Sequence, residues 1–237
     1  MASPPLWQRV QFELEKRIRS GSLAEGAPLP SEEQLAASFG VHRNTVRRAL
    51  ARLHEKELIR IVHGRGASVA VPRVTYRLAR TARMTSVLQW SGHSPKRRIL
   101  SATETRAERP VAAGLMLPSG HPVVRVRTLC TMDGRPVSLT VSSYPLPRLN
   151  GIVGMIEDAG SIAEAMQRLG IAKVSRHEMH LRACLPSEPE ARELGISRGR
   201  PIMELVTVDS DPSGIPVQHV VTKILSDYFD FVISPSE

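Results

Sequence analysis

The sequence predicts an α+β protein in which a helical N-terminal part precedes a C-terminal part built mainly from strands. Up to about residue 54, apolar residues recur at the spacing of amphipathic helices. Beyond Pro72, short runs of alternating apolar residues are separated by turn sequences such as PSGHP, MDGRP and DPSGIP. We therefore place a first domain at residues 1–72, a linker at 73–83 and a second domain at 84–237.

The composition indicates a globular protein that meets a polyanion. The 237 residues are 41% hydrophobic and carry a formal net charge of +9, which favours nucleic acid as a partner. Only five of the 32 basic residues are lysine, and arginine suits bidentate contacts to phosphate and guanine. No apolar stretch reaches the roughly 18 residues of a membrane-spanning helix, and residues 1–7 lack a signal-peptide pattern. We expect a cytoplasmic protein without membrane contact.

The two cysteines, Cys130 and Cys184, lie far apart in the sequence. They form no C-x-x-C pair, and no histidine cluster has metal-ligand spacing. The pattern favours reduced structural thiols, with a redox pair as the minor alternative. We expect neither a metal site nor a cofactor.

The first predicted helix lies within residues 4–20. Leu6, Val10, Leu14 and Ile18 are four residues apart, which gives one apolar face. Gly21 is expected to end this helix, and the turn-rich segment GSLAEGAPLP connects it to the next one.

A helix-turn-helix is predicted between Ser31 and Leu53. Ser31 and Gln34 have capping-box spacing at the start of a helix over 31–38, and Gly40 is suited to end that helix. The second helix, at 42–53, has one apolar face and one basic face along which no acidic residue lies four positions away. This geometry favours a helix that reads the DNA major groove over a merely solvated charged face. The apolar face comprises Val46, Ala49, Leu50 and Leu53, and the opposite face comprises His42, Arg43, Asn44, Arg47, Arg48 and Arg52.

Two strand-like runs, 58–62 and 67–71, follow the second helix. They are joined by His63, Gly64, Arg65 and Gly66, so they read as a β-hairpin. A hairpin directly after a helix-turn-helix is a wing, and its glycines allow the backbone to approach DNA closely. The alternative, which is compatible with this role, is that the hairpin closes the small domain's core.

The second domain is predicted to contain antiparallel hairpins and a few helices, an arrangement that forms its own core. The strands are expected at 96–109, 121–131, 136–144, 173–183, 201–211 and 216–224, and the helices at 84–92, 161–169 and 187–195.

The segment PLPSEEQLAASFGVHRNTVRRALARLHEKELIRIVHGRGASV resembles the winged helix-turn-helix of GntR-type bacterial transcription regulators, and the likeness spans about residues 6–71. Further motifs resemble the UTRA effector domain of the HutC branch, which has a chorismate-lyase-like fold. These motifs are VTYRL, SGHSP, RVRTLCTMDGRPVSL and DPSGIPVQHVVTKILSDYFDFVI. Within that branch, VHRNTVRRAL and TYRLART are most similar to regulators of phosphonate metabolism.

The resemblance implies specific DNA contacts. Arg43 and Arg47, which share a helix face, are implied as major-groove readers, Thr45 as a phosphate contact, and His63 with Gly64 as the wing tip. Many relatives carry arginine where this chain has Glu33, and another cation is common in place of Pro28, so Arg48 and Asn44 are expected to take a larger part. The predicted DNA-binding set is Ser31, Arg43, Asn44, Thr45, Arg47, Arg48, His63, Gly64 and Arg65.

The resemblance also implies a small anionic effector, a phosphorylated, phosphonate or carboxylate metabolite, gripped by paired arginines. Arg127 lies on the implied strand, but Cys130 stands where a second arginine is expected, and Arg176 is the candidate replacement. Ser161 can cap a helix whose first amides could hold a phosphate, although an ordinary cap is the simpler interpretation. Thr85 and Ser86 could act in the same way.

These observations predict a repressor on the bacterial nucleoid that binds a palindromic DNA operator as a homodimer and leaves it when an effector binds. Two alternatives remain: a lyase-like enzyme and a nonspecific nucleoid-binding protein. Against the enzyme, no nucleophile with a neighbouring base and no carboxylate pair is evident. His177 and His180 of the sequence HEMH are expected on opposite faces of a strand. The nonspecific binder would show a steep salt dependence without sequence preference.

Overall fold

The computed structural model describes residues 4–62, 66–71, 73–80, 83–171 and 173–233, without the side chains of Val62 and His177. The chain divides into two compact units, Met1–Pro72 and Arg73–Glu237. Each unit has its own core and is described by itself.

Three helices and a hairpin form the first unit. The helices are α1 (Leu6–Arg19), α2 (Glu32–Phe39) and α3 (Arg43–Glu55), and the antiparallel hairpin pairs β1 (Ile59–Val62) with β2 (Gly66–Val69). These elements confirm the predicted helix-turn-helix with a following hairpin. The predicted capping box is present, since the Ser31 hydroxyl accepts from the Gln34 amide at 3.2 Å and the Gln34 side chain accepts from the Ser31 amide at 2.9 Å. Gly40 ends α2 with φ of 62°.

The hairpin also contributes to the core of this unit. Ile59 and Val69 are buried with the apolar residues of the three helices. The connector between α1 and α2 adds backbone pairing to β2, because the Leu29 amide donates to the Ala67 carbonyl at 2.8 Å and the Val69 amide donates to the Ala27 carbonyl at 2.9 Å. Pro28, which lacks a backbone donor, lies in this pairing opposite Ser68. The hairpin therefore fills the structural role that the sequence left as an alternative to DNA contact.

The second unit is built on an antiparallel six-stranded sheet of order β4-β5-β6-β9-β8-β7, with a separate two-stranded parallel pair of β3 and β10. The elements in chain order are β3 (Val74–Arg77), α4 (Met84–Trp90), β4 (Pro95–Arg106), α5 (Arg109–Gly114), β5 (Pro122–Met132), β6 (Arg135–Pro145), α6 (Ile152–Ala159), α7 (Ile162–Arg168), β7 (Ser175–Cys184), α8 (Glu188–Glu193), β8 (Ile202–Ser210), β9 (Pro216–Ile224), a 3-10 turn (Ser226–Tyr228) and β10 (Phe229–Val232).

Alternate residues of the strands face different helices. On β5, Val124 and Val126 pack with α6 and α7. Leu129, at an odd-numbered position, packs instead with Leu139 of β6 and with Leu194 at the end of α8. Because strand side chains alternate between faces, Arg127 lies on the same face of β5 as Leu129, and Cys130 lies on the same face as Val126.

The structure corrects three expectations. The segment 73–83 contains β3, whose Tyr76 ring lies 5.8 Å from the Phe231 ring of β10, so part of the expected linker belongs to the second unit. The strand predicted at 96–109 ends at Arg106, because α5 begins at Arg109. Helix α6 was not predicted, because its N-cap is Gly151 and no side-chain cap marks its start; glycines with positive φ flank it at both ends. None of the described helices is long and apolar enough to cross a membrane.

Candidate DNA-binding surface and effector cavity

Helix α3 presents the candidate DNA-binding surface of the first unit. The His42 ring accepts a hydrogen bond from the Asn44 amide at 3.2 Å and thereby caps the helix start. The apolar face, formed by Val46, Ala49, Leu50 and Leu53, is buried as predicted. The opposite face is left exposed, and it carries Arg43, Asn44, Arg47, Arg48 and Arg52.

Acidic side chains of α2 hold the two predicted base readers. Glu32 accepts from Arg43 Nε at 2.8 Å and from Arg47 at 3.2 Å (Nε) and 3.0 Å (Nη2), and Glu33 accepts from Arg43 Nη1 at 3.0 Å. The hydrogen bonds from Arg47 and Arg43 hold the pKa of Glu32 below its usual value. The spacing rule applied to the sequence detects acidic partners only within α3 itself. The absence of acidic residues four positions away within α3 therefore does not leave the basic face unpaired, because Glu32 and Glu33 come from the preceding helix.

The remaining predicted contacts have different surroundings. The Arg48 guanidinium lies over the Trp7 ring of α1, 4.6 Å from its centroid, which is a cation–π contact. Ser31 is exposed at the N-cap of α2, and Thr45 is half-buried in the first turn of α3. The predicted wing tip, His63, Gly64 and Arg65, lies outside the described residues.

The second unit contains a cavity of about 270 Å³ at the face of the six-stranded sheet that carries Val126 and Cys130. Its charged lining, within the described ranges, comprises three guanidinium groups and one carboxylate, so it favours an anion. Many hydroxyl and amide groups complete the wall. The charged residues are Arg83, Arg97, Arg176 and Asp209, and the uncharged polar ones include Tyr76, Thr85, Ser86, Gln89, Ser138, Thr140, Ser142, Ser161, Thr207, Gln218 and Thr222.

Four of the five predicted effector residues lie together in this cavity: Thr85, Ser86, Ser161 and Arg176. Arg127 does not line it. Arg127 donates to Glu193 of α8 at 2.7 Å, because its odd-numbered position on β5 places it with Leu129 on the other face of the sheet. The strand that the resemblance implied, β5, therefore does not supply the arginines of this cavity.

Cys130 lines the cavity where the resemblance implied an arginine. Burial raises the pKa of its thiol, so the group is a neutral part of the wall. Cys184 lies elsewhere, with its sulfur 3.5 Å from the Lys223 ammonium. Both cysteines are free thiols, as predicted.

The sequence analysis missed Arg83, Arg97 and Asp209. Asp209 follows Thr207 by two positions in the segment LVTVDS of β8, and both residues are buried; alternate polar residues on a buried strand are a usable sign of a polar pocket. Arg83 lies at the end of the segment taken as a linker, where strand periodicity gives no guidance.

One of the two histidines of HEMH, His177, has a side chain outside the described residues, so the predicted separation of the pair is not tested. His180 is exposed and pairs with Glu178 at 2.9 Å, and the His177 side chain is not described. Across the described residues, no group of three or more histidine, cysteine or acidic side chains is placed to hold a metal ion.

Comparisons with known proteins agree with this two-part architecture. Residues 6–69 match the family model of bacterial regulatory proteins of the gntR family, and residues 91–230 match the UTRA domain model. The HTH-type transcriptional regulator RB1450 of Rhizobium meliloti is 31% identical over 94% of this chain and 91% of its own length. The HTH-type transcriptional repressor NagR of Bacillus subtilis is 26% identical over 96% of this chain and 93% of its own.

A solved structure supports the fold. The crystal structure of PhnF from Mycobacterium smegmatis superposes with a TM-score of 0.65 at 24% sequence identity, covering 96% of this chain and 99% of that one. RB1450 and NagR are named as a transcriptional regulator and a transcriptional repressor, which argues against the lyase alternative. The chain therefore belongs to the GntR family of bacterial regulatory proteins, with a C-terminal UTRA domain, and acts as a transcriptional regulator.

Proposed function

We propose that the protein is a homodimeric repressor that binds a palindromic DNA operator in the bacterial cytoplasm and is released by a small anionic metabolite. The positive charge of the cavity supports the proposal that the effector is an anion. Arg83, Arg97 and Arg176 line it against Asp209, an excess of positive charge that a phosphorylated, phosphonate or carboxylate compound would neutralise.

Operator recognition is assigned to the exposed face of α3. Arg43 and Arg47 lie four residues apart on that face, at the start of a helix whose geometry suits the major groove. Arginine reads guanine through two parallel hydrogen bonds. A homodimer would present two such helices to the two halves of a palindrome.

Release requires the effector to bind the DNA-free arrangement better than the DNA-bound one, since equal affinity for both would shift nothing. The segment 73–83 is our candidate for the coupling element. Its Tyr76 and Arg83 line the cavity, and the segment directly follows the DNA-binding unit in the chain. A ligand that contacts these two side chains would act directly on the connecting chain.

Two matched variants test the assignment of the cavity. Arg176 is 8% exposed and lines the cavity, whereas Arg127 is paired with Glu193 on the other face of the sheet. We expect Arg176→Met to bind the operator normally but to lose release by the effector, and Arg127→Ala to retain release. The readout is fluorescence anisotropy of labelled operator DNA titrated with candidate metabolites. Loss of release in Arg127→Ala alone would contradict the cavity assignment.

A further inference from the structure

A buried charge cluster lies at one end of the cavity. The Asp209 carboxylate is 3.2 Å from Arg83 Nη2 through Oδ2 and 3.4 Å from Arg176 Nε through Oδ1. The side chains of Asp209 and Arg176 are 2% and 8% exposed. This cluster places the single carboxylate of the described lining between two of its three guanidinium groups.

Four buried polar atoms of this cluster have no hydrogen-bond partner among the residues that the structure describes. They are Arg83 Nη1, Arg176 Nε, Thr207 Oγ1 and Asp209 Oδ1. The contact between Arg176 Nε and Asp209 Oδ1 is close enough for an ion pair but lacks hydrogen-bond geometry. Buried polar groups are nearly always paired in folded proteins, and all four residues line the same cavity. A ligand in the cavity could complete the hydrogen bonding of these four atoms.

The chemistry of these atoms restricts the ligand. A guanidinium group can only donate hydrogen bonds, whereas a carboxylate can only accept them. A ligand that satisfies Arg83 and Arg176 needs negatively charged acceptor oxygens, and one that satisfies Asp209 needs a donor beside them. An anion with acceptors alone would place an oxygen against the Asp209 carboxylate, which is repulsive.

We propose that the cavity selects an anion that carries a hydrogen-bond donor next to its charged oxygens, and that Asp209 makes this selection. The donor could be the protonated oxygen of a hydrogen phosphate or an amine attached to a phosphate or phosphonate. Sulfate, which carries no proton near neutral pH, is the matching anion without a donor. This inference rests on the proposed effector cavity and specifies which anions it accepts.

Titration calorimetry of the full chain with inorganic phosphate and with sulfate tests the proposal. We expect phosphate to bind at least about tenfold more tightly, the effect of one hydrogen bond to a charged group. Asp209→Asn removes the repulsion, so sulfate should bind more tightly than to the original protein and the preference for phosphate should fall to about twofold or less. A second pair, phosphoethanolamine and propyl phosphate, differs only in that an amine replaces a methyl group. This pair shows whether the amine or the phosphate provides the hydrogen-bond donor to Asp209.

The outcomes separate this inference from the proposed function. Equal binding of phosphate and sulfate together with equal binding of the two esters, or an unchanged preference in Asp209→Asn, would overturn the selection by Asp209 while leaving an anionic effector in place. Failure of all four compounds to bind would overturn the selection by Asp209, whereas the proposed function is judged separately by the release assay with Arg176→Met. The ester pair and the phosphate–sulfate pair are measured on the unaltered protein, so the test does not depend on the folding of Asp209→Asn.

Discussion

Glu32 of α2 accepts two hydrogen bonds from Arg47 of α3, at 3.2 and 3.0 Å, and Arg43 donates to the same carboxylate at 2.8 Å. The two arginines proposed to read bases are thus already paired in the free protein. DNA has to draw them away from Glu32 or share them with it.

We predict that Glu32→Gln binds both operator and random DNA about two- to fivefold more tightly, because the exposed ion pairs are weak and a negative charge near the phosphates is lost. Electrophoretic mobility shifts on both DNAs measure the effect. Glu55→Gln is the matched control. Glu55 pairs with Arg52 near the C-terminal end of α3, and replacing Glu55 changes the net charge by the same amount as replacing Glu32. Weaker binding by Glu32→Gln would show instead that Glu32 orients the arginines for DNA.

Arg47→Ala is expected to weaken operator binding by about ten- to a hundredfold and to relax base preference, as loss of a bidentate base contact should. Arg52→Ala removes a positive charge from the same exposed face near the C-terminal end of α3 and should weaken operator and random DNA equally and only slightly. Competition binding with operator variants gives both values. Equal losses on operator and random DNA in Arg47→Ala would make Arg47 a phosphate contact.

Periodic elements were predictable from the sequence, and contacts between elements were not. The helices and hairpin of the first unit, and the strands of the six-stranded sheet, followed from apolar spacing and turn residues. The pairing of Glu32 with Arg47 depends on how α2 crosses α3, which no local pattern contains. In the cavity, alternation alone would have separated Arg127 from Cys130 on β5, but it could not show that Arg83 and Asp209 meet.

Gly114 and Gly154 give opposite predictions for the same substitution. A Cβ at Gly114 would lie 2.7 Å from His219 Cδ2 and 3.1 Å from Val208 Cγ2, whereas nothing lies within 4 Å of a Cβ at Gly154. Gly114→Ala should therefore lower the free energy of unfolding by about 1–3 kcal/mol through overpacking. Gly154→Ala, inside α6, should raise it by up to about 1 kcal/mol through helix propensity. Urea unfolding followed by circular dichroism checks both signs, and equal effects would contradict the close packing at Gly114.

Glu204 makes the stability pH-dependent. Burial raises the pKa of its carboxyl, but Lys223 and Arg182 outweigh this effect and hold the pKa below the usual 4.5. A lowered pKa means that Glu204 stabilises the fold above about pH 4.5 and that this contribution is lost as the pH falls through the folded-state value.

Glu204→Gln should accordingly be about 1–3 kcal/mol less stable than the original protein near neutral pH, and the difference should shrink in acid. Chemical unfolding at several pH values measures it. Glu178→Gln, at an exposed pair with His180, should change stability little at any pH. A difference for Glu204→Gln that is constant across the pH range would show that its charge is not what stabilises the fold.

Selection of genomic DNA fragments by the purified protein at physiological ionic strength tests sequence-specific regulation most directly. We expect recovery of one inverted repeat, whose binding is lost in Arg47→Ala and released by an anionic metabolite. Uniform recovery of all fragments, with a steep salt dependence and no shared sequence, would contradict sequence-specific regulation and favour a nonspecific DNA-binding protein.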